Sequence, residues 1–195
     1  MAQNPIVACL VCLAAISVQV PSDLAEAAVL STFDTDDEGW TTFQNADTEI
    51  GYSAIGGNSG GHITTIDQDS GWTYVQAPDP FLVPAMYDGS LSFDLRVFTS
   101  DPVNWPIEFG VRTSLVGNGL TLINELAVPD GTWTNYSFTL NETAGWRIFP
   151  DLNQNYSVGA LQPTQSQMQG VLENLSGLFI ATDYNNRNTL QGVID

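Results

Sequence analysis

The chain has 195 residues, with 22 Asp and Glu against 4 Arg, no Lys and a formal net charge of -18. Four scattered arginines (Arg96, Arg112, Arg147 and Arg187) cannot neutralise a phosphate backbone or hold an anionic membrane surface, so nucleic-acid binding and electrostatic membrane adhesion are excluded. The one histidine, His62, and two cysteines near the N-terminus leave no zinc site built from His and Cys.

The N-terminal stretch from Ile6 to Val20 is almost wholly apolar, and Ala25-Glu26-Ala27 follows it. This reads as a signal peptide over residues 1–27, with an A-x-A cleavage site after Ala27. The run is shorter than the ~20 residues of a membrane helix. No basic residue precedes it, and Ile6-Val7-Ala8-Cys9 also has the form of a lipoprotein box. A first buried helix of the fold is the remaining alternative. Cleavage removes both cysteines, so the domain expected over residues 28–195 relies on core burial without a disulfide. No later segment is apolar enough to span a membrane, and the expected location is extracellular or cell-surface.

Strand patterns dominate the rest. Ser90 to Phe98 alternates, with Leu91, Phe93, Leu95 and Val97 on one face and Ser92, Asp94 and Arg96 on the other. Ile107 to Leu115 repeats the pattern, with Glu108 and Arg112 outward. Further strands are predicted at Val29–Phe33, Gly61–Ile66, Thr73–Gln76, Leu120–Leu126, Trp133–Leu140, Leu178–Thr182 and Leu190–Ile194. Asp88-Gly89, Gly117-Asn118-Gly119 and Pro129-Asp130-Gly131 punctuate them as turns. Gly56 to Gly61 reads as a loop; it lacks the lysine of a phosphate cradle. Ordering each residue costs ~1–2 kcal/mol, so this many half-buried strands require two sheets packed face to face.

One helix interrupts the strands. Thr164-Gln165-Ser166-Gln167 is a capping box, Met168, Val171, Leu172 and Leu175 share a face, and Gly177 supplies the stop. The expected fold is all-β, a two-sheet sandwich with one short helix.

Four pieces occur in order: Phe33 with Glu38-Gly39-Trp40; Gly71-Trp72-Thr73-Tyr74-Val75-Gln76-Ala77-Pro78; Gly89-Ser90-Leu91-Ser92-Phe93-Asp94-Leu95-Arg96-Val97; and Trp146-Arg147 followed by Val171 to Leu175 and Gly177-Leu178-Phe179-Ile180. Together they resemble the laminin B domain, also called laminin IV type A, in its secreted bacterial single-domain form. The resemblance implies an all-β jelly-roll β-sandwich of the galactose-binding or carbohydrate-binding-module kind, with an extracellular, non-catalytic role in matrix or adhesion. The family often carries an arginine where Ala181 stands, and its closing L-D-N-V is only partly met by Leu190 to Asp195.

Asp34, Asp36 and Glu38 place hard oxygen donors beside Gly39, and Asp195 could close a structural calcium site with them. The alternative is a solvated acidic loop. Trp105, Trp146, Tyr156 and Tyr184 lie in loop-like contexts and are the candidates for stacking on a sugar ring, whereas Trp40, Trp72 and Trp133 sit at strand starts and suit a core. Arg96 beside Asp94 and Arg112 near Glu108 suit exposed ion pairs worth ~0–1 kcal/mol. The expected function is a non-catalytic module binding glycan, matrix or cell-surface material. The alternatives are a glycoside hydrolase or polysaccharide lyase, with Asp94 and Glu108 as its carboxylate pair, and a purely structural domain.

Overall fold

The computed structural model describes residues 9–19, 29–44, 49–58, 60–66, 72–82, 84–85, 87–99 and 109–184. In chain order the elements are β1 (Cys9–Gln19), β2 (Val29–Ser31), β3 (Thr41–Phe43), β4 (Gly51–Ser53), β5 (His62–Ile66), β6 (Tyr74–Gln76), β7 (Ser90–Thr99), β8 (Arg112–Gly117), β9 (Leu120–Glu125), β10 (Thr134–Thr139), β11 (Arg147–Phe149), α1 (Gln165–Glu173) and β12 (Leu175–Ala181). A short 3-10 turn, Asp79–Phe81, follows β6. The first sheet runs β10-β7-β1-β5-β4 with β2 on β1, and the second runs β11-β9-β8-β12-β6-β3. All the pairings are antiparallel. The chain changes sheet repeatedly, from β2 to β3, β3 to β4, β5 to β6, β6 to β7, β7 to β8, β9 to β10 and β10 to β11, as the expected jelly-roll sandwich requires.

Alternation decides which side chains fill the space between the sheets. Leu91, Phe93, Leu95 and Val97 of β7 and Tyr136 and Phe138 of β10 face Leu115, Leu122, Leu178 and Ile180 of the second sheet in one core. Phe93 stacks on Phe138 at 5.8 Å, and Phe138 meets Trp146 at 6.0 Å. Each fully buried side chain of this size contributes ~1.5–3 kcal/mol of transfer free energy. Trp40 also belongs to the core, and its indole Nε1 donates to Ser31 Oγ at 2.9 Å.

The capping box forms as predicted: Gln167 N donates to Thr164 Oγ1 at 3.2 Å and Thr164 N to Gln167 Oε1 at 2.8 Å. Met168, Val171 and Leu172 turn inward. β12 begins at Leu175, earlier than the alternation suggests, because an irregularity between Leu175 and Gly177 shifts its register. β3, β4 and β11 are three-residue edge strands, too short to show alternation in the sequence. The segment expected at Leu190–Ile194 lies outside the described residues.

The apolar run read as a leader is built into the sandwich. β1 pairs with β7 from Cys9↔Thr99 to Gln19↔Ser90 and with β5 from Leu10↔Ile66 to Leu13↔Ile63. Leu13 and Ile16 are fully buried. Over Cys9–Gln19 the run is a strand and not a helix, and cleavage after Ala27 would take the middle strand out of this sheet.

Candidate functional site on the outer face of the first sheet

The residues of β7 and β10 that do not enter the core line the sandwich's outside. Register pairs Asn135 with Asp94, Ser137 with Ser92 and Thr139 with Ser90. Asp94 is only 8% exposed, and among the described residues amide groups hold its carboxylate. Asn135 Nδ2 donates to Asp94 Oδ1 at 2.9 Å, and Asn58 Nδ2 donates to Asp94 Oδ2 at 3.1 Å. Two amides thus satisfy both oxygens of a nearly buried carboxylate.

Asn58 arrives from the glycine loop. Gly57 N donates to the Gly60 carbonyl at 3.1 Å, closing a tight turn. At Gly61 a Cβ would come within 1.8 Å of the Phe33 carbonyl oxygen, so only glycine lets the loop return to β5 there. The loop is a positioning device for Asn58.

Two rings complete the face. Trp133 stands just before β10 with the outward parity of Asn135, and His62 opens β5 with the outward parity of Thr64. β10 and β5 are three strands apart in the sheet, about 14 Å at normal strand spacing. The ring centroids are nevertheless 5.9 Å apart at an interplanar angle of 77°. The rings therefore reach toward each other over β7 and β1, beside Asp94. Both residues are half-buried. His62 Nδ1 is buried and has no hydrogen-bond partner among the described residues. Burial lowers the imidazole pKa, and the nearby Ile55 carbonyl offsets part of that effect. Arg96, exposed on the same face, donates its Nε to the Gly131 carbonyl at 3.2 Å, and the Ser17 and Ser92 hydroxyls share a hydrogen bond at 2.9 Å.

This face offers an aromatic surface surrounded by amide, carboxylate, hydroxyl and imidazole groups. Such a set suits a ligand with an apolar flank and many hydroxyls.

The predicted stacking residues fare differently. Trp146 is a correction: it is fully buried, and its indole N–H donates to the Thr139 carbonyl at 2.8 Å. Tyr184 is a second correction, fully buried with its hydroxyl on the Ala181 carbonyl at 2.7 Å. Both close the core where loop context had suggested exposure. Tyr156 is half-buried, donates to the Gly145 carbonyl at 2.8 Å and packs on Phe149 at 6.2 Å. It lies on the second sheet's side, away from Trp133. Trp105, Glu108 and Asp195 lie outside the described residues.

The acidic loop uses its carboxylates on itself. Glu38 Oε1 accepts from Phe33 N at 2.7 Å and Thr32 N at 3.1 Å, Asp34 Oδ2 from the Thr32 hydroxyl at 2.8 Å, and Asp36 Oδ1 from Glu38 N at 2.8 Å. Phe33 and Glu38 take positive φ of 52° and 53°, which these bonds support. Among the described residues, no three His, Cys, Asp or Glu side chains form a group fit to hold a metal ion.

Arg112 departs from the exposed ion pair expected with Glu108. It is 2% exposed and pairs with Glu125 at 3.0 Å. Its NH1 donates to the Gln154 carbonyl at 2.9 Å, and its guanidinium lies 4.0 Å from the Trp72 ring centroid. Trp72 in turn touches Phe109 at 5.4 Å. Tyr74, whose hydroxyl donates to the Leu152 carbonyl, has its pKa raised by burial, with Arg112 acting the other way. The segment around Leu152 thus roofs this outer face of the second sheet, and no such roof covers the first sheet among the described residues.

The family model for laminin B (domain IV) matches residues 74–195. The chain belongs to the laminin B family. No curated protein matches it. Among solved structures, a family 11 carbohydrate-binding module from Clostridium thermocellum, in complex with a β-1,3-1,4-mixed-linked tetrasaccharide, is similar over 92% of this chain and 89% of that chain, at 13% identity and a TM-score of 0.32. The laminin B match takes in Asp94, Trp133 and Asn135, whereas β1, Asn58 and His62 precede it. Among the described residues, no helix is long and apolar enough to cross a membrane.

Sequence reasoning missed Trp133, Asn135, Asn58 and His62 as one site. The signal available was parity: Trp133, Asn135, Ser137 and Thr139 alternate with the buried Tyr136, Phe138 and Leu140. That pattern places Trp133 outside the core, although a strand-start tryptophan suggested the opposite.

Proposed function

We propose that this laminin B protein is a secreted, non-catalytic module that binds uncharged glycan, at a cell surface or in extracellular matrix, on the outer face of its first sheet. The observation that carries the reading is the Trp133–His62 pair beside the amide-held carboxylate of Asp94. The rings would take the C–H flank of a sugar, and the polar groups its hydroxyls. A net charge of -18 disfavours polyanionic glycans and favours neutral ones. The non-catalytic reading draws support from Asp94, since both its oxygens accept amide bonds and are poorly placed to move a proton. Export by residues 1–27 belongs to the same proposal.

Affinity electrophoresis through gels containing neutral polysaccharides tests it. The wild-type chain is retarded on at least one gel, and Trp133→Ala weakens that retention by ~30-fold or more, as loss of a binding hot spot of ~2 kcal/mol requires. Equal retention of both proteins would remove the site. Release of reducing ends or unsaturated sugars would remove the non-catalytic reading.

A further inference from the structure

We propose that β10 is the contact strand of a symmetric dimer, joining the first sheet of one copy to the first sheet of a second copy of this chain.

Among the described residues, β2, β3, β4, β10 and β11 pair on one side only. Four of these hold three residues each, and a very short edge strand is a poor template for another chain. β10 is the exception, with six residues, Thr134–Thr139, paired to β7 without a bulge. It has no charged residue, proline or glycine to guard its outer side. The ladder's alternation shows which backbone groups face that side. Leu140 N donates to the Gly89 carbonyl at 2.9 Å, and Asp88 N donates to the Leu140 carbonyl at 3.1 Å. Thr134, Tyr136 and Phe138 share the parity of Leu140 and turn their backbone groups toward β7 in the same way. Asn135, Ser137 and Thr139 turn theirs outward, and all three residues are exposed. Of these groups the Thr139 carbonyl is already taken, by the Trp146 indole N–H at 2.8 Å.

This row is complementary to itself. A two-fold axis through Ser137 sets that residue opposite Ser137 of the second copy, and Asn135 opposite Thr139 of the second copy. The two Ser137 residues then exchange a pair of backbone hydrogen bonds, and each Thr139 N–H donates to the opposite Asn135 carbonyl. The carbonyl held by Trp146 falls at the end of the ladder, where it keeps its bond. On the outer face the side chains meet as Ser–Ser and Asn–Thr pairs, which hydrogen-bond across strands. Asn135 gives its Nδ2 to Asp94 and keeps its amide oxygen for the opposing hydroxyl. Charge decides for a second copy over a cationic partner: the chain carries -18 overall, yet residues 131–141 contain no charged side chain. An interface of this kind is isologous, and its axis stands perpendicular to the sheet, so both outer faces point the same way. The two Trp133 rings then stand roughly 27 Å apart along the strands at ~3.4 Å per residue. The dimer would present two glycan sites to one surface. That consequence rests on the proposed glycan reading, whereas the dimer itself does not.

Sedimentation equilibrium of the full chain, from micromolar to near-millimolar concentration, reads the dimer directly. Both copies are acidic, and Asp130 and Glu142 lie just beyond the ends of the ladder. Association is therefore expected to strengthen ~10-fold or more when salt rises from about 0.05 M to about 0.5 M. Ser137→Glu sets two like charges face to face on the axis, and Ser137→Pro removes the outward N–H. Each is expected to weaken association ~30-fold or more while keeping a cooperative melt, because neither touches a bond to β7. Ser137→Cys is expected to give a disulfide-linked dimer under mild oxidation, since the Cα atoms of a hydrogen-bonded antiparallel pair lie ~5.5 Å apart. The parent chain, whose cysteines are Cys9 and Cys12, is the control and is expected to stay uncrosslinked. A chain that remains monomeric at every concentration in about 0.5 M salt overturns the proposal. Hydrogen exchange at the Ser137 and Thr139 amides then tells what holds the edge: slow exchange means another part of the same chain, and fast exchange leaves it to a different partner. A dimer that survives both Ser137→Glu and Ser137→Pro, or that Ser137→Cys fails to crosslink, overturns it too. Absence of retention on every polysaccharide gel removes the glycan reading and leaves the dimer to be judged by sedimentation alone.

Discussion

Replacing Glu125 with Ala leaves Arg112 as a buried cation without its carboxylate. Arg112 is 2% exposed and Glu125 23%, so the charge left behind is the more deeply buried member of the pair. Breaking such a pair from one side costs ~3–5 kcal/mol. The guanidinium retains the Gln154 carbonyl at 2.9 Å and the Trp72 ring at 4.0 Å. A desolvated cation–π contact of this kind is worth ~2 kcal/mol and stays in place. The expected loss is therefore toward the lower bound, about 2–3 kcal/mol. For a chain of this size that lowers Tm by about 4–12 °C at ~2–4 °C per kcal/mol. Urea titration monitored by tryptophan fluorescence measures it, at low salt and again at 1 M salt, where a buried pair is little screened. The double variant Arg112→Met, Glu125→Leu removes both charges together and is expected to lose less than Glu125→Ala alone. A Glu125→Ala protein within about 0.5 kcal/mol of the parent, or a double variant less stable than it, would refute the buried-pair argument.

Other outcomes follow from the open face and the acidic loop. Burial lowers the His62 pKa below 6.5, so the unfolded chain binds the proton more readily; stability is full above pH 6.5 and falls as pH drops through the folded value. His62→Gln should flatten that part of the stability–pH curve, and an unchanged curve would show that another group sets it. Asp94→Asn keeps the shape but turns one acceptor into a donor facing the amide N–H of either Asn58 or Asn135; it should cost ~1–3 kcal/mol and abolish gel retention. Gly61→Ala, which drives a methyl into the Phe33 carbonyl, should cost ~1–3 kcal/mol in the same urea titration. Glu38→Ala should lower Tm equally with EDTA and with calcium, because its carboxylate holds the Thr32 and Phe33 amides; stabilisation by calcium that Asp34→Ala removes would instead reinstate a metal at this loop.

The long central strands were legible because each residue's environment flips with its neighbour's. Tyr136 to Leu140 follow that rule throughout, and Leu91 to Val97 follow it except at Asp94, an outward residue that is only 8% exposed. The helix was legible because Thr164 and Gln167 satisfy each other's backbone donors locally. The edge strands β3, β4 and β11 were not, since three residues hold no period. The acidic loop's composition matches a cation site, and its carboxylates also accept from backbone N–H groups two to six residues away, which composition alone does not announce.

What alternation could not supply is which outward face remains free. Arg112 and Arg96 both read as outward residues on half-buried strands, yet one is sealed beneath the segment around Leu152 and Gln154 and the other is open to solvent. A period-two pattern records only which side of one sheet a residue occupies. The roof over the second sheet comes from a segment without strand periodicity, and it is anchored by two carbonyls, those of Leu152 and Gln154, which accept from Tyr74 and Arg112. Carbonyls carry no side-chain signature, so the sequence cannot announce the closure. The proposed glycan site lies on the other face, where the glycine loop brings Asn58 to Asp94 and Trp133 reaches His62. Opening the roof by Tyr74→Phe would test this asymmetry, because it should expose Trp72 to a fluorescence quencher while leaving gel retention on the Trp133 face unchanged.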